Sequence, residues 1–335
     1  MSANNNGINE IFDSFQYLKV LIVGDAMTDK YIFGHTQRIS PEAPVPIIEV
    51  YRRENRLGGA ANVALNIKEL GAKPILATVV GDDDDGHEFK QLLQAHGIDA
   101  SYVLLDQDRR TTVKTRVMSR NQQVLRYDYE HTKALDENIE LLLLDNILDL
   151  IYTEKPNVVI LQDYNKGVLT PKIIESILHH CRQAEIPTAV DPKRDNFFAY
   201  KGCTLLKPNL KEAAEALHIE LSAAHPETLI DADTRLRNIL AHQYTIITLS
   251  DKGVFIGMGD DNDILPAYLR RITDVSGAGD TVISLLALGI ALDLDIFATA
   301  ELANIAAGLV CEQVGVVPIK REILQQEAET VLSEG

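Results

Sequence analysis

Two rhythms of apolar and polar positions alternate along this chain. Short apolar runs, several rich in β-branched residues, recur at KVLIVGD (19–25), PILATVVG (74–81), NVVILQDY (157–164), PTAVDPK (187–193), CTLLKPN (203–209) and YTIITLS (244–250). Runs of this length suit strands covered on both faces. Between them lie segments with helical spacing: GGAANVALNIKELGA (58–72), LDENIELLLLDNILDLIY (135–152), PKIIESILHHCRQAE (171–185) and LKEAAEAL (210–217). Gly71 is a natural C-cap for the first of these, and helices fill most of the chain after Gly277. Strands alternating with helices of about a dozen residues predict βαβ units, a mainly parallel sheet and an α/β fold.

Two segments break this rhythm. Tyr31–Arg56 is polar and holds Pro41, Pro44 and Pro46. These prolines forbid a helix and suggest short edge strands or a β-flap. Thr111–Glu130 alternates apolar and polar residues, as a sheet with one wet face does. The two inserts, 31–56 and 110–130, are expected to form a small β-lid at one edge of a single domain running from 1 to 335. The run Asp82–Asp85 reads as a solvated loop leading into a helix N-terminus, where acids suit the macrodipole.

Composition narrows the partners. The 335 residues are 46% hydrophobic and carry a net charge of −17. Such an acidic surface repels nucleic acid and anionic membranes, so neither is expected as a partner. It does not exclude a small anionic substrate, provided the basic residues are concentrated locally. Cys181, Cys203 and Cys311 are scattered, as buried thiols in a reducing compartment would be. The N-terminus lacks a signal-peptide pattern. The apolar stretch from Thr281 is interrupted at Asp293, short of the ~20 residues a membrane span needs. The expectation is a soluble, cytoplasmic protein.

The nucleotide fingerprints of α/β folds are absent. GDDDDG at 81–86 continues with His87-Glu88 instead of the lysine and hydroxyl of a P-loop, and GDAMTD follows the first strand where a dinucleotide fold needs its glycines. DVSGAGDTV (274–282) has to be read by its physics. Gly277, Ala278 and Gly279 permit close backbone approach at a helix start, where free amides and the dipole favour an anion. Asp280 is then placed to take a proton from an attacking hydroxyl. The competing reading is an ordinary helix start with an acid in its first turn. Asn209 and Glu212, three apart at another helix start, suit Mg²⁺ held through its waters or, equally, a capping box. Gly58 and Gly59 allow close approach to a ligand, Asn62 offers a donor and an acceptor to a sugar diol, and Asp29 could accept from hydroxyls. All these segments lie at strand–helix junctions, which converge on one end of a parallel sheet.

GGAANVALNIKELGA, KPNLKE, TLSDKG and DVSGAGDT, in this order, resemble the PfkB/ribokinase family of carbohydrate kinases, and the similarity runs from about Lys19 onward. GDAMTDKYIFGHTQRISPEAPVPIIEV, VKTRVMSRNQQVLRYD, DYNKGVLT and DPK look like the D-glycero-β-D-manno-heptose 7-phosphate kinases within it. The resemblance implies a ribokinase-like three-layer α/β/α fold and transfer of phosphate from ATP, with Mg²⁺, to the sugar 1-hydroxyl on the way to ADP-heptose. Asp280 would be the general base, and Gly277, Ala278 and Gly279 the anion hole. Asn209 and Glu212 would act around Mg²⁺ and the phosphates, Ser250 and Gly253 would contact ATP, and Asn304 would lie near the adenine. Asp29, Gly58, Gly59 and Asn62 would hold sugar hydroxyls. Arg116, Arg120, Arg126, Lys166 and Lys193 are the candidate cations for the substrate's own phosphate. The β-lid is expected to pair with that of a second subunit. No HxGH nucleotidyltransferase motif is visible, which implies a single-function kinase. Two departures stand out: Ser250, where many sugar kinases have glycine, and Gln162-Asp-Tyr-Asn165, where Ser-Asp-Tyr-Gly is expected. Another PfkB-type sugar or nucleoside kinase, or a ligand sensor on the same fold, remains the alternative.

Overall fold

A computed structural model describes residues 5–120, 122–268 and 272–334. Its strands are β1 (Lys19–Gly24), β2 (Ala26–Ile39), β3 (Pro46–Gly59), β4 (Lys73–Gly81), β5 (Val103–Asp106), β6 (Val113–Ser119), β7 (Gln122–Tyr129), β8 (Val158–Gln162), β9 (Thr188–Asp191), β10 (Leu205–Leu206), β11 (Tyr244–Thr248), β12 (Val254–Met258) and β13 (Asp261–Leu265). Its helices are α1 (Asn5–Ser14), α2 (Ala60–Glu69), α3 (Asp84–Ala95), α4 (Glu137–Thr153), α5 (Pro171–Gln183), α6 (Leu210–Leu217), α7 (Pro226–Leu240), α8 (Ala278–Ala291), α9 (Ile296–Cys311) and α10 (Arg321–Glu334).

Nine strands form the main sheet in the order β13-β12-β11-β10-β9-β8-β1-β4-β5. From β5 to β11 the pairings are parallel, and β12 and β13 close the edge antiparallel. The alternation of side chains along each strand separates two cores. In β1, Val20 and Ile22 pack with Val63 and Ile67 of α2 and with Ile283 and Leu286 of α8. Leu21 and Val23 point the other way, to Leu143 and Ile147 of α4 and Ile173 and Ile177 of α5. This is the expected three-layer α/β/α arrangement. The apolar stretch after Gly279 is α8, an interior helix buried from Asp280 through Gly289. Among the described residues no helix is long and apolar enough to cross a membrane.

The second sheet has the order β3-β2-β6-β7 and unites the two segments that break the βαβ rhythm. It departs from the expected short edge strands. β2 and β3 are each 14 residues long and pair from Ala26↔Gly59 to Ile39↔Pro46. The prolines sit where they cost no ladder: Pro41 and Pro44 in the turn, and Pro46 at the first position of its strand. Gly58 and Gly59 accordingly end a strand, and α2 begins only at Ala60. The acidic run behaves as expected. Asp83 caps α3 by accepting from the Gly86 N–H at 2.8 Å, and Asp84 and Asp85 occupy its first turn.

Candidate active site

β1 leads by way of β4 and β5 to one side of the sheet, whereas β8 to β11 extend to the other, so the chain switches direction between β1 and β8. Ligands of open α/β sheets bind beyond the strand C-termini at such a switch point. Here polar side chains end or follow the apolar runs: Asp25 after β1, Gln162 closing β8, Asp191 closing β9 and Lys207 after β10. All four are buried.

Asp280 lies at their centre. Gly277 caps α8 with φ 85°, in the left-handed region that favours glycine, and a Cβ there would stand 3.1 Å from the Asn62 Nδ2. That turn brings Asp280, the third residue of α8, against the start of α2 and the end of β8. The Asn62 Nδ2 donates to Asp280 Oδ2 at 2.8 Å. The Tyr164 hydroxyl and the Gln162 Nε2 donate to Oδ1 at 2.6 and 3.2 Å. Burial pushes the Asp280 carboxyl up to about 6, against the lowering effect of its donors from Asn62 and Tyr164. Asp191 behaves oppositely. Burial works to raise it, but Lys207 at 2.9 Å and Lys193 nearby outweigh burial and hold it below the ordinary value.

The loop after β8 is pinned from beneath. The buried Asp25 carboxylate accepts the backbone N–H groups of Tyr164, Lys166 and Val168 at 2.8, 2.9 and 3.0 Å. Asp163 accepts from the Tyr200 hydroxyl at 2.7 Å. Burial, and the charge of Asp25, push the Asp163 carboxyl up to about 6. These contacts fix the ring of Tyr164, with the Lys114 Nζ 5.1 Å and the Lys193 Nζ 5.5 Å from its centroid.

A cavity of about 670 Å³ opens from Asp280 along the strand ends. Its walls include Gly277, Ala278, Gly279, Asn209, Glu212, Ser250, Gly253, Asn304 and Lys193, so the structure brings these sequence candidates together. Its far end is apolar, with Leu221, Val275, Ala300, Ala303 and Ala307. The Ala278 N–H donates to the Val275 carbonyl at 3.4 Å, the amides of Gly279 and Asp280 have no acceptor within the helix, and these residues line the cavity together with Lys207. Ser250 has φ 59°, which explains why glycine is the commoner choice at such a position. Gly253, at φ 99°, lies so close to the Leu265–Ala267 backbone that a Cβ has no room. The Asn304 Nδ2 donates to the Pro266 carbonyl at 2.8 Å.

Asn209 and Glu212 form the capping box of α6. The Glu212 N–H donates to Asn209 Oδ1 and the Asn209 N–H to Glu212 Oε2, both at 2.9 Å. The other Glu212 oxygen pairs with Lys193. With both oxygens engaged, Glu212 suits Mg²⁺ through water. The buried Asp191 Oδ1 has no hydrogen-bond partner and stands on the same wall. Among the described residues no cluster of three or more His, Cys, Asp or Glu offers a complete set of protein ligands. This donor set fits a largely hydrated Mg²⁺ held mainly by phosphate oxygens.

The remaining candidates sit on or beside the small sheet. Asp29 and Arg116 form a buried ion pair, and Gly58 is packed so tightly on Asp29 that a Cβ would collide with its carboxylate. Arg116 lies opposite Arg126, which is bound to Asp128. Lys166 pairs with Glu130 at 2.8 Å. Arg120 is exposed at the end of β6 and does not join this group. Lys193, expected among the substrate-phosphate cations, instead stands beside Glu212 and Asp191 on the cavity wall. Sequence reasoning missed Lys114, Gln162, Tyr164, Asp191 and Lys207 as site residues. The readable signal for three of them was a polar residue ending or directly following an apolar strand run.

The model of the pfkB family of carbohydrate kinases matches residues 18–322. "Bifunctional protein HldE" of Methylobacillus flagellatus is 40% identical over 312 residues, 93% of this chain and 63% of that protein. The protein of the same name from Campylobacter jejuni serotype O:2 is 41% identical over 311 residues, 92% of this chain and 64% of that protein. The chain therefore spans somewhat under two thirds of the length of these relatives. Among solved structures, a point mutant of phosphofructokinase-2 from Escherichia coli aligns with TM-score 0.77 at 16% identity, covering 94% of this chain and 99% of that one. Arabidopsis thaliana ribokinase complexed with ribose and ATP aligns with TM-score 0.71 at 16% identity, covering 92% and 98%. The ribokinase-like fold, the buried aspartate at the start of α8 and the family match together place this chain in the pfkB family of carbohydrate kinases.

Proposed function

We propose that this protein transfers the γ-phosphoryl group of ATP to the 1-hydroxyl of D-glycero-β-D-manno-heptose 7-phosphate, giving the 1,7-bisphosphate. The observation that carries the reading is the state of Asp280. An ionised carboxylate has about four lone-pair positions, two on each oxygen. Tyr164 and Gln162 fill both on Oδ1, whereas Asn62 fills one on Oδ2. Oδ2 thus keeps the position that receives the sugar proton. A carboxyl near 6 is largely ionised at neutral pH yet basic enough to take a proton as the hydroxyl attacks.

The acceptor hydroxyl is held between Asn62 and Asp280, and its oxygen attacks the γ-phosphorus as the proton passes to Asp280 Oδ2. The amides at the start of α8, with Lys207, meet the charge on the transferring oxygens. Magnesium, when bound, would neutralise charge shared between neighbouring phosphates. Asn209, Glu212 and Asp191 would hold its waters. The apolar end of the cavity suits the adenine, beside Asn304 and the Ser250–Gly253 turn. Two cation groups suit two phosphorylated ligands in a chain of net charge −17: Lys193 and Lys207 on the nucleotide side, and Lys114, Arg116 and Arg126 on the small sheet with Lys166 beside it, in the loop after β8.

The choice of sugar is supported by the SPEAPVP and SRNQQ segments and by the HldE relatives. "Bifunctional" belongs to those longer proteins, and only the kinase activity is proposed for this chain. The outer face of the small sheet bears Leu125, Tyr127 and Tyr129 in alternation, with Val45 and Tyr51 also exposed on that sheet and its turn. It is proposed to pair with a second copy, as the resemblance implies. The test is ADP release with heptose 7-phosphate, fructose 6-phosphate, ribose and adenosine as acceptors. Preference for the heptose phosphate is expected, and faster turnover of ribose would overturn the substrate assignment.

A further inference from the structure

Gln162, one of the two departures in the sequence, is wholly buried at the end of β8. Its Nε2 lies 3.2 Å from Asp280 Oδ1 and 3.1 Å from Asp191 Oδ2. One amide nitrogen therefore bridges two buried carboxylates from different elements. The opposite amide orientation would aim an oxygen at both, so electrostatics fixes the donor inward. Its Oε1 has no hydrogen-bond partner. The side chain is thus satisfied only where it faces the two acids.

We propose that Gln162 is a positioning residue for phosphoryl transfer: its amide ties Asp280 to the Lys207-paired Asp191, and so aims the free lone pair of Asp280 Oδ2 at the acceptor hydroxyl. This rests on the kinase reading above. The groups that face Asp280 are Asn62 from α2, Gln162 and Tyr164 from β8 and its loop, Asp191 and Lys193 from β9 and its loop, and Lys207 after β10. Of these, Asp191 disfavours the Asp280 carboxylate, and Gln162 is the donor that stands between the two acids. Without it, Asp280 loses a hydrogen bond and faces Asp191 directly. Both changes favour its protonated form.

The experiment compares wild type, Gln162→Ala and Gln162→Glu, reading kcat and KM for ATP across pH with the acceptor that wild type uses best. Gln162→Ala is expected to move the acid limb of kcat/KM upward by about half to one pH unit. Its kcat should fall about two- to fivefold near pH 6 and much less near pH 8, with KM for ATP within about twofold. Gln162→Glu, nearly equal in shape, is expected to move the limb further, because it adds a third acid. An unmoved limb in both variants overturns the inference, even if kcat falls. A second reading needs no substrate: the pH dependence of the melting temperature. Asp280 gives up stability as pH rises through its folded pKa, so this window should shift upward in both variants, and an unchanged window counts against the inference. Absence of phosphoryl transfer by wild type to any acceptor would defeat the kinase reading alone, since the melting curves still decide whether Gln162 governs Asp280.

Discussion

Asp280→Asn separates the proton at the centre of the site from its shape. The change keeps volume and removes the ability to take the sugar proton, so kcat should fall roughly 10²–10⁴-fold while ATP still binds. The same change should stabilise the fold at alkaline pH. Burial raises the Asp280 carboxyl from 3.8 to about 6. The native state therefore holds this proton more tightly than the unfolded chain, a contribution that is whole below about pH 4 and is lost as pH rises through about 6. Above that, ionised Asp280 costs the fold about 3 kcal/mol relative to its neutral form. Asparagine avoids this cost but brings a misfit. Its oxygen keeps the donors from Tyr164 and Gln162, whereas its nitrogen faces the Asn62 Nδ2, which has to turn its own amide. A repaired hydrogen bond costs about 1 kcal/mol, which leaves a net gain of about 1–2 kcal/mol. For 335 residues that is a rise in Tm of about 2 °C. Melting curves and ADP-release rates at a series of pH values measure both effects. The gain should be absent near pH 4 and complete near pH 7. A kcat within about threefold of wild type, or a variant less stable than wild type at every pH by the same amount, would refute the reasoning.

Three further outcomes follow from the geometry. Gly277→Ala should lower stability by about 1–3 kcal/mol, through its left-handed φ and the crowded Asn62 amide, and should reduce kcat more than KM; a neutral effect on both would contradict the cap as drawn. Arg116→Ala strands the buried Asp29 and should destabilise by about 3–5 kcal/mol in chemical denaturation, with most of the loss recovered by Asp29→Asn in the same chain; equal losses in the single and double variants would show the pair to be uncoupled. Leu125→Asp with Tyr127→Asp should convert a dimer to a monomer in sedimentation without changing the melting temperature by more than a few degrees, and a wild-type monomer at micromolar concentration would contradict pairing through the small sheet.

The layers of the fold were legible because they depend on local pattern. The buried strands β1, β4, β8 and β11 read as continuous apolar runs, and α2, α4 and α5 carry helical spacing between punctuating glycines and prolines. The small sheet was only half legible. Prolines marked its hairpin turn, but the length of β2 and β3 comes from their pairing with each other from Ala26↔Gly59 to Ile39↔Pro46, and Thr28–Gly34 of β2 is also held by β6, a partner some eighty residues away. Helices α1 and α7 and the edge strands β12 and β13 went largely unread, and of α3 only the acidic N-terminus was legible, since their patterns are short or mixed.

In the site, residues that must be glycine, or that begin a helix, announced themselves: Gly253, Gly277, Asn209 and Asp280. The residues that tune Asp280 did not. Gln162 and Tyr164 reach it from 118 and 116 positions away. No spacing rule links them, because the sheet makes the contact. Asn209 and Glu212 show the capping-box half of their sequence reading. They cap α6 and also line the cavity, since a helix N-terminus is itself part of the phosphate-side wall.

The central claim is that Asp280 accepts the proton from the 1-hydroxyl of a heptose 7-phosphate as that oxygen takes the phosphoryl group from ATP. Phosphorus NMR of a reaction holding the protein, ATP, Mg²⁺ and D-glycero-β-D-manno-heptose 7-phosphate tests it most directly, with Asp280→Asn run alongside. The account predicts a new phosphate resonance coupled to the anomeric proton, growing as ATP is converted to ADP, and none with the variant. ADP formed without a C1-phosphorylated sugar, or the same product at the same rate from Asp280→Asn, would contradict it.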